Sequence, residues 1–205
     1  MKKLIALFVV AAAAVALSFN ADARRFGVKA GVNVMNLNAK SVEAAGVVGY
    51  QAGLSWQFDL PLGFAIQPDI MYHVKATKFE EIESSLGFGY VEVPVNIQWG
   101  LRFANKNIRL FAQASPFVGY AVSQIGKTKD FVAGENGNKW DNVNRLSYGA
   151  GLGAGLQLGP LQLTASYNWD FGNSLKGEKF NTLFNKSNFS GYTVSLALMF
   201  GKKKK

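Results

Sequence analysis

His73 is the only histidine of the chain, and Glu92 is a carboxylate that could pair with it. A histidine held by a carboxylate beside a hydroxyl is the arrangement of a hydrolase, in which the imidazole takes the proton of the nucleophile. Serines and threonines are plentiful, but no G-x-S-x-G turn displays one of them. A structural pair inside the fold accounts for His73 and Glu92 better than catalysis does, and no catalytic residue is expected. Lys29, Asp69, Arg102, Arg109 and Asp170 are isolated among apolar, glycine and amide residues. They could line a pore or pair with one another in a buried network. Acidic residues gather at Glu80, Glu81 and Glu83, and again at Asp130, Glu135 and Asp141, without the D-x-[DN]-x-[DN]-G spacing of a calcium loop. They read as solvated loops. The chain has no cysteine, which excludes thiol catalysis and cysteine metal sites. Neither a metal nor a cofactor is expected.

The segments that must position these residues have a period of two. Apolar and polar residues alternate over residues 26–34, 48–58, 64–75, 91–102, 108–120, 146–158, 161–171 and 191–200. Each of the eight is long enough to cross a bilayer as a tilted strand. The connections alternate in length. Residues 59–63 and 103–107 and the pair Gly159-Pro160 are short, whereas 36–47, 77–89, 124–144 and 173–189 are long and polar. Short turns at one end and long loops at the other are the asymmetry of an outer-membrane barrel. The fold expected is all-β, an eight-stranded antiparallel up-and-down transmembrane β-barrel.

The direction of the two faces decides between a membrane barrel and a soluble one. Counted from the short-turn end, Phe26, Trp56, Phe58, Phe64, Trp99 and Phe200 fall early in their strands. Tyr50, Tyr72, Tyr120, Tyr148, Trp169 and Tyr192 fall roughly eight or more residues higher, with aliphatic residues between. Two aromatic girdles around an aliphatic band suit a lipid-facing surface. The opposite face carries Gly, Ser, Gln and Asn with the isolated charges Lys29, Asp69, His73, Glu92, Arg102, Arg109 and Asp170, a composition unlike a solvated surface. Those charges are therefore read as an interior polar network. Gly149, Gly151, Gly153 and Gly155 run along the same face, where they leave room for Phe111 and Phe117. An eight-stranded interior is filled by side chains, so no wide channel is expected.

Residues 1–23 have the form of a cleaved signal peptide: Lys2 and Lys3, an apolar run from Leu4 to Phe19, and the small-residue site Ala21-Asp22-Ala23. The barrel domain is then 24–201, followed by a basic tail at 202–205. The net charge of +9 owes much to that tail and to the leader, and an exported chain is not expected to bind nucleic acid. No later run is long and apolar enough for a spanning helix.

Particular stretches carry a resemblance: GVKAGVN in the first strand, YVEVPVNIQWG in the fourth, FAQASPFVGY in the fifth and YGAGLGAGLQL in the sixth. The chain resembles the outer-membrane β-barrel family of Bacteroidetes, the PorT-like group. Tyr90, Glu92 and Pro94 match that family's aromatic-x-Glu-x-Pro pattern, and the resemblance covers about residues 25–200. The terminal aromatic Phe200 resembles the signal read by the outer-membrane assembly machinery, although Gly201 to Lys205 follow it. These features imply a non-enzymatic integral outer-membrane protein, a structural, surface or envelope-complex component. Its partners would be outer-membrane lipids, the assembly machinery during biogenesis, and an envelope protein met through the long loops. Two alternatives are a soluble periplasmic lipocalin-like barrel carrying an apolar ligand, and an outer-membrane lipid hydrolase.

Overall fold

Strict alternation gives every strand one polar and one apolar face, and the eight segments keep these faces apart by closing into a ring. The structure, a computed structural model, describes residues 24–38, 44–79, 84–103, 107–125, 144–172 and 188–201. The expected segment 1–23 and the tail 202–205 lie outside the described residues. The strands are β1 (Arg24–Asn38), β2 (Ala44–Asp59), β3 (Phe64–Phe79), β4 (Ser84–Phe103), β5 (Ile108–Ile125), β6 (Leu146–Leu158), β7 (Leu161–Asp170) and β8 (Asn188–Gly201). Each pairs antiparallel with its neighbours in sequence, and β8 returns to β1 from Arg25↔Gly201 to Asn38↔Asn188. The chain is thus a closed eight-stranded up-and-down barrel. Closure pairs the backbone of every strand on both sides, as a bilayer interior requires.

The apolar face points out. Leu54, Ile70, Leu152 and Leu196 are exposed, whereas Gln67, Asp69 and Gln98 are completely buried. A soluble carrier of apolar ligands has the opposite arrangement, so the lipocalin-like alternative is overturned. Aromatic rings meet at both rims of the aliphatic belt. Near the short turns Phe26 faces Trp56 and Phe200 in register, with Phe26 and Trp56 ring centres 5.5 Å apart. At the other rim Tyr167 lies 4.7 Å from Tyr192 and 4.8 Å from Trp169. Tyr167 thereby joins a girdle to which sequence had not assigned it. Phe58 leaves one. It was expected to face lipid, but it is only 7% exposed. It lies in register between Arg24 and Ile66 at the end of β2, where the chain turns.

The turns on the short side are tight. Pro61–Gly63 forms a 3-10 turn in which Leu62 and Gly63 have φ of 60° and 84°, and the Leu60 N–H donates to Phe64 O at 2.9 Å. Gly159 has φ of 59°, which lets two residues reverse the chain between β6 and β7. On the far side the strands run further than alternation alone indicates. Residues 77–89, expected as a loop, are largely strand: Val74 to Phe79 pair with Gly89 to Ser84. Paired backbone groups continue past the apolar belt because the ladder needs no apolar side chains. Register shifts between Val47 and Gln51 on β2 and between Gly89 and Tyr90 on β4 bend the sheet near this end.

Candidate functional site

The barrel interior holds the charges in three tiers. Nearest the short turns, Asp59 at the end of β2 accepts from Arg25 Nη2 on β1 at 3.1 and 3.2 Å, and from Gln57 Nε2 at 2.9 Å. Arg102 Nη2 reaches the same carboxylate at 3.0 Å. Arg109 donates to Gln98 Oε1 at 2.7 Å and to Gly63 O at 3.2 Å, and its guanidinium lies 5.0 Å from the centre of the Phe111 ring.

The middle tier is an amide and hydroxyl net around one ion pair. Lys29 Nζ lies 2.9 Å from Asp69 Oδ2, which also accepts from Asn96 Nδ2 at 2.9 Å. Gln67 Nε2 donates to Asp69 Oδ1 at 3.2 Å, and Ser115 Oγ donates to Asn96 Oδ1 at 2.8 Å. Gln98 links this net to the tier below by donating to Gln67 Oε1 at 3.2 Å.

The third tier, on the long-loop side, holds His73. Its Nδ1 lies 2.8 Å from Glu92 Oε2, and Lys75 Nζ lies 2.6 Å from Glu92 Oε1. Lys75 also donates to both oxygens of Asp170 at 2.9 Å, and Ser147 Oγ donates to Asp170 at 3.1 Å. The ammonium lies 4.9 Å from the centre of the Phe117 ring and 5.0 Å from that of Tyr90. Four charged or chargeable groups from three strands are thus packed where each has a partner, which buried charge requires. Beyond them Met35, Phe88, Tyr90 and Phe189 are essentially inaccessible to solvent. They form an apolar layer inside the barrel.

All seven expected interior residues face inward, and the structure adds three. Lys75 alternates with His73 and was legible on the inward face, but it stood outside the expected set. Arg25 lay before the first alternating segment and Asp59 was assigned to a turn. Extending the parity of Gly27 and Gln57 by one step finds both. The acidic groups Glu80, Glu81 and Glu83, and Asp130, Glu135 and Asp141, lie outside the described residues. Among the described residues no three His, Asp or Glu side chains gather as a metal site needs.

Chemically, His73 and Glu92 are two members of a three-membered relay. Among the described residues His73 Nε2 has no hydrogen-bond partner, so none of their hydroxyls is poised for deprotonation. The cavity beside it, lined among others by Lys29, His73, Ser115 and Thr193, measures about 40 Å³. That is room for about three or four waters at roughly 10–15 Å³ each, and it cannot take an acyl chain.

Gly149 and Gly155 make the interior packing feasible. Phe117 and Phe111 stand opposite them in register. The Phe117 ring lies 2.6 Å from where a Gly149 Cβ would be, and the Phe111 ring lies against the same position at Gly155.

Comparison with known proteins agrees with this architecture. The fold is similar to that of OprG from Pseudomonas aeruginosa, with a TM-score of 0.51 and 8% identity over 88% of this chain and 98% of that one. Ail of Yersinia pestis is 13% identical over 87% of this chain and 99% of its own, with a TM-score of 0.46. Neisserial surface protein A is 12% identical over 85% and 97%, with a TM-score of 0.45. No curated protein matches by sequence. The pattern that defines the outer membrane protein beta-barrel domain matches residues 18–176, about three quarters of the sequence. With its lipid-facing belt, polar interior and closed ring, the chain belongs to the outer membrane protein beta-barrel domain family.

Proposed function

We propose that this protein is a non-enzymatic outer-membrane scaffold, with a filled barrel as its anchor and the long connections as its working surface. One observation carries the reading: the interior is occupied by a bonded polar network, and the cavity beside His73 measures only about 40 Å³. A barrel so filled gives solutes no wide passage and gives a lipid chain no binding slot. Function then falls to the segments beyond the membrane, where an envelope protein is the proposed partner. The short turns face the periplasm in this reading, and residues 1–23 are removed during export. The quoted strand motifs support placement in the PorT-like group of Bacteroidetes.

The test joins location to permeability. The protein should extract with detergent from the outer-membrane fraction and migrate differently on gels before and after boiling. In planar bilayers it should give no steady conductance above background. A stable channel of porin size would sink the filled-scaffold reading, and recovery as a soluble periplasmic protein would sink the membrane assignment.

Lipid hydrolysis remains the competing reading because His73 and Glu92 are paired. A deletion strain complemented with wild type or with His73→Gln decides between them. The two should give the same lipid profile at equal folded protein. A species processed only by wild type would make this an enzyme.

A further inference from the structure

The tier nearest the short turns is electrostatically incomplete. Three guanidinium groups stand in this tier with the single carboxylate of Asp59: Arg25 and Arg102 contact it, and Arg109 bonds only the neutral oxygens of Gln98 and Gly63. That carboxylate is already saturated: it accepts from Arg25 and Gln57 and lies against Arg102. The other interior acids are engaged higher in the barrel, Asp69 with Lys29 and the pair Glu92 and Asp170 with Lys75. Among the described residues, two positive charges of this tier are left without compensation.

Arg102 and Arg109 also face each other directly in the register of β4 and β5. Like charges directly opposite in a sheet repel, and Arg109 is only 1% exposed. The same inward row continues from Arg109 to Gln157 on β6 and from Gln157 to Gln162 on β7. Both glutamines are buried, and neither amide has a partner for its nitrogen or its oxygen. Arg109 Nε, Arg25 Nε and Arg25 Nη1 are likewise unpartnered. Unused donors on buried groups are costly unless something occupies them. Water could accept from the amides, but it brings no charge. Arg102, which keeps about a fifth of its side chain exposed, opens the row toward solvent.

We propose that the short-turn mouth of the barrel binds a doubly charged oxyanion of the phosphate class, held by Arg102 and Arg109 together with the amides of Gln157 and Gln162. A guanidinium fork matches phosphate oxygens with two parallel bonds. A carboxylate would offset only half of the surplus charge, whereas a phosphate monoester near neutral pH carries about 1.5–2 negative charges and inorganic phosphate between one and two. The anion could be free phosphate or the headgroup of a phosphatidic-acid-type lipid in the adjoining leaflet. The inference rests on the membrane-barrel reading, which fixes where this mouth opens.

The experiment uses the full barrel folded in nonionic detergent, with folding verified by heat-modifiable migration. Inorganic phosphate is titrated against chloride at constant ionic strength while the thermal unfolding midpoint is followed. A specific ligand raises the midpoint and the effect grows with concentration. Arg109→Gln, or the more exposed Arg102→Gln should the first fold poorly, should need at least about ten-fold more phosphate for the same rise, the cost of one charge-assisted contact. Gln157→Leu with Gln162→Leu should raise the midpoint in chloride, because two orphan amides are removed, and should weaken the phosphate response. Dihexanoyl phosphatidic acid that displaces phosphate, with dihexanoyl phosphatidylcholine as control, would identify the lipid source; phosphate binding without displacement would identify the free anion. Equal midpoints in phosphate and chloride, or arginine variants that respond as wild type does, overturn the site and leave the membrane reading intact. A chain that never becomes heat-modifiable overturns both.

Discussion

Lys75 is the residue on which the long-loop tier depends. Its ammonium bridges Glu92 and Asp170, and Ser147 bonds Asp170 beside it. Removing the cation leaves two buried carboxylates facing each other, and breaking a buried ion pair from one side costs about 3–5 kcal/mol. Lys75→Met should therefore lower the urea midpoint of the folded barrel strongly, and adding Asp170→Asn should recover part of the loss. Urea titrations followed by gel migration would measure both. His73→Gln should cost less, about 1–3 kcal/mol, because an amide can still meet Glu92. A loss from His73→Gln equal to that from Lys75→Met would mean that the imidazole, rather than the ammonium, holds the tier together. Side-chain direction was readable from sequence wherever alternation was unbroken, as at Asp69, His73 and Glu92. At Arg25 and Asp59 it needed the alternation carried one step past the apolar segments, because the strands run on to Arg24 and Asp59 beyond the last lipid-facing residue. Partner choice was not readable at all. Parity puts Lys75 and Asp170 inside, but only ring closure decides that β3 and β7 face each other across the barrel.

Among the elements, β6 is the most specialised. Its inward glycines allow β5 to place Phe117 and Phe111 over bare backbone at Gly149 and Gly155. Gly155→Leu should destabilise the barrel by at least the 1–3 kcal/mol typical of overpacking. Phe111→Leu in the same chain should relieve part of that cost. Additive losses in the double variant, measured by urea unfolding, would show that the two residues do not share one space. The glycine run points to close packing from the sequence alone. The length of β3 and β4 beyond the belt was less visible. Thr77, Lys78, Ser84 and Ser85 look like loop residues, but their backbones are paired in register. Hydropathy marks where lipid ends, and the hydrogen-bond ladder goes on without it.

For the whole molecule, the inverted distribution of polarity is the governing fact. Leu152 lies on the exposed belt and Ser166 lines the interior cavity. Leu152→Arg should cost about 2–4 kcal/mol in a bilayer, as arginine does near the midplane of a barrel's lipid face. Ser166→Arg should act through crowding instead, so its cost should change little between thin and thick bilayers, whereas that of Leu152→Arg should rise with thickness. Matching thickness dependence for the two would contradict the assigned faces. The pairing of β1 with β8 has a consequence in time as well as in space. The first strand to leave the ribosome finds its second neighbour only in the last, with Phe26 beside Phe200. Until β8 arrives, one side of β1 is a row of unmet donors and acceptors that any passing strand could take. On the proposed route through the periplasm, that row stays open for as long as β8 is missing. Closing the ring is the step that satisfies it.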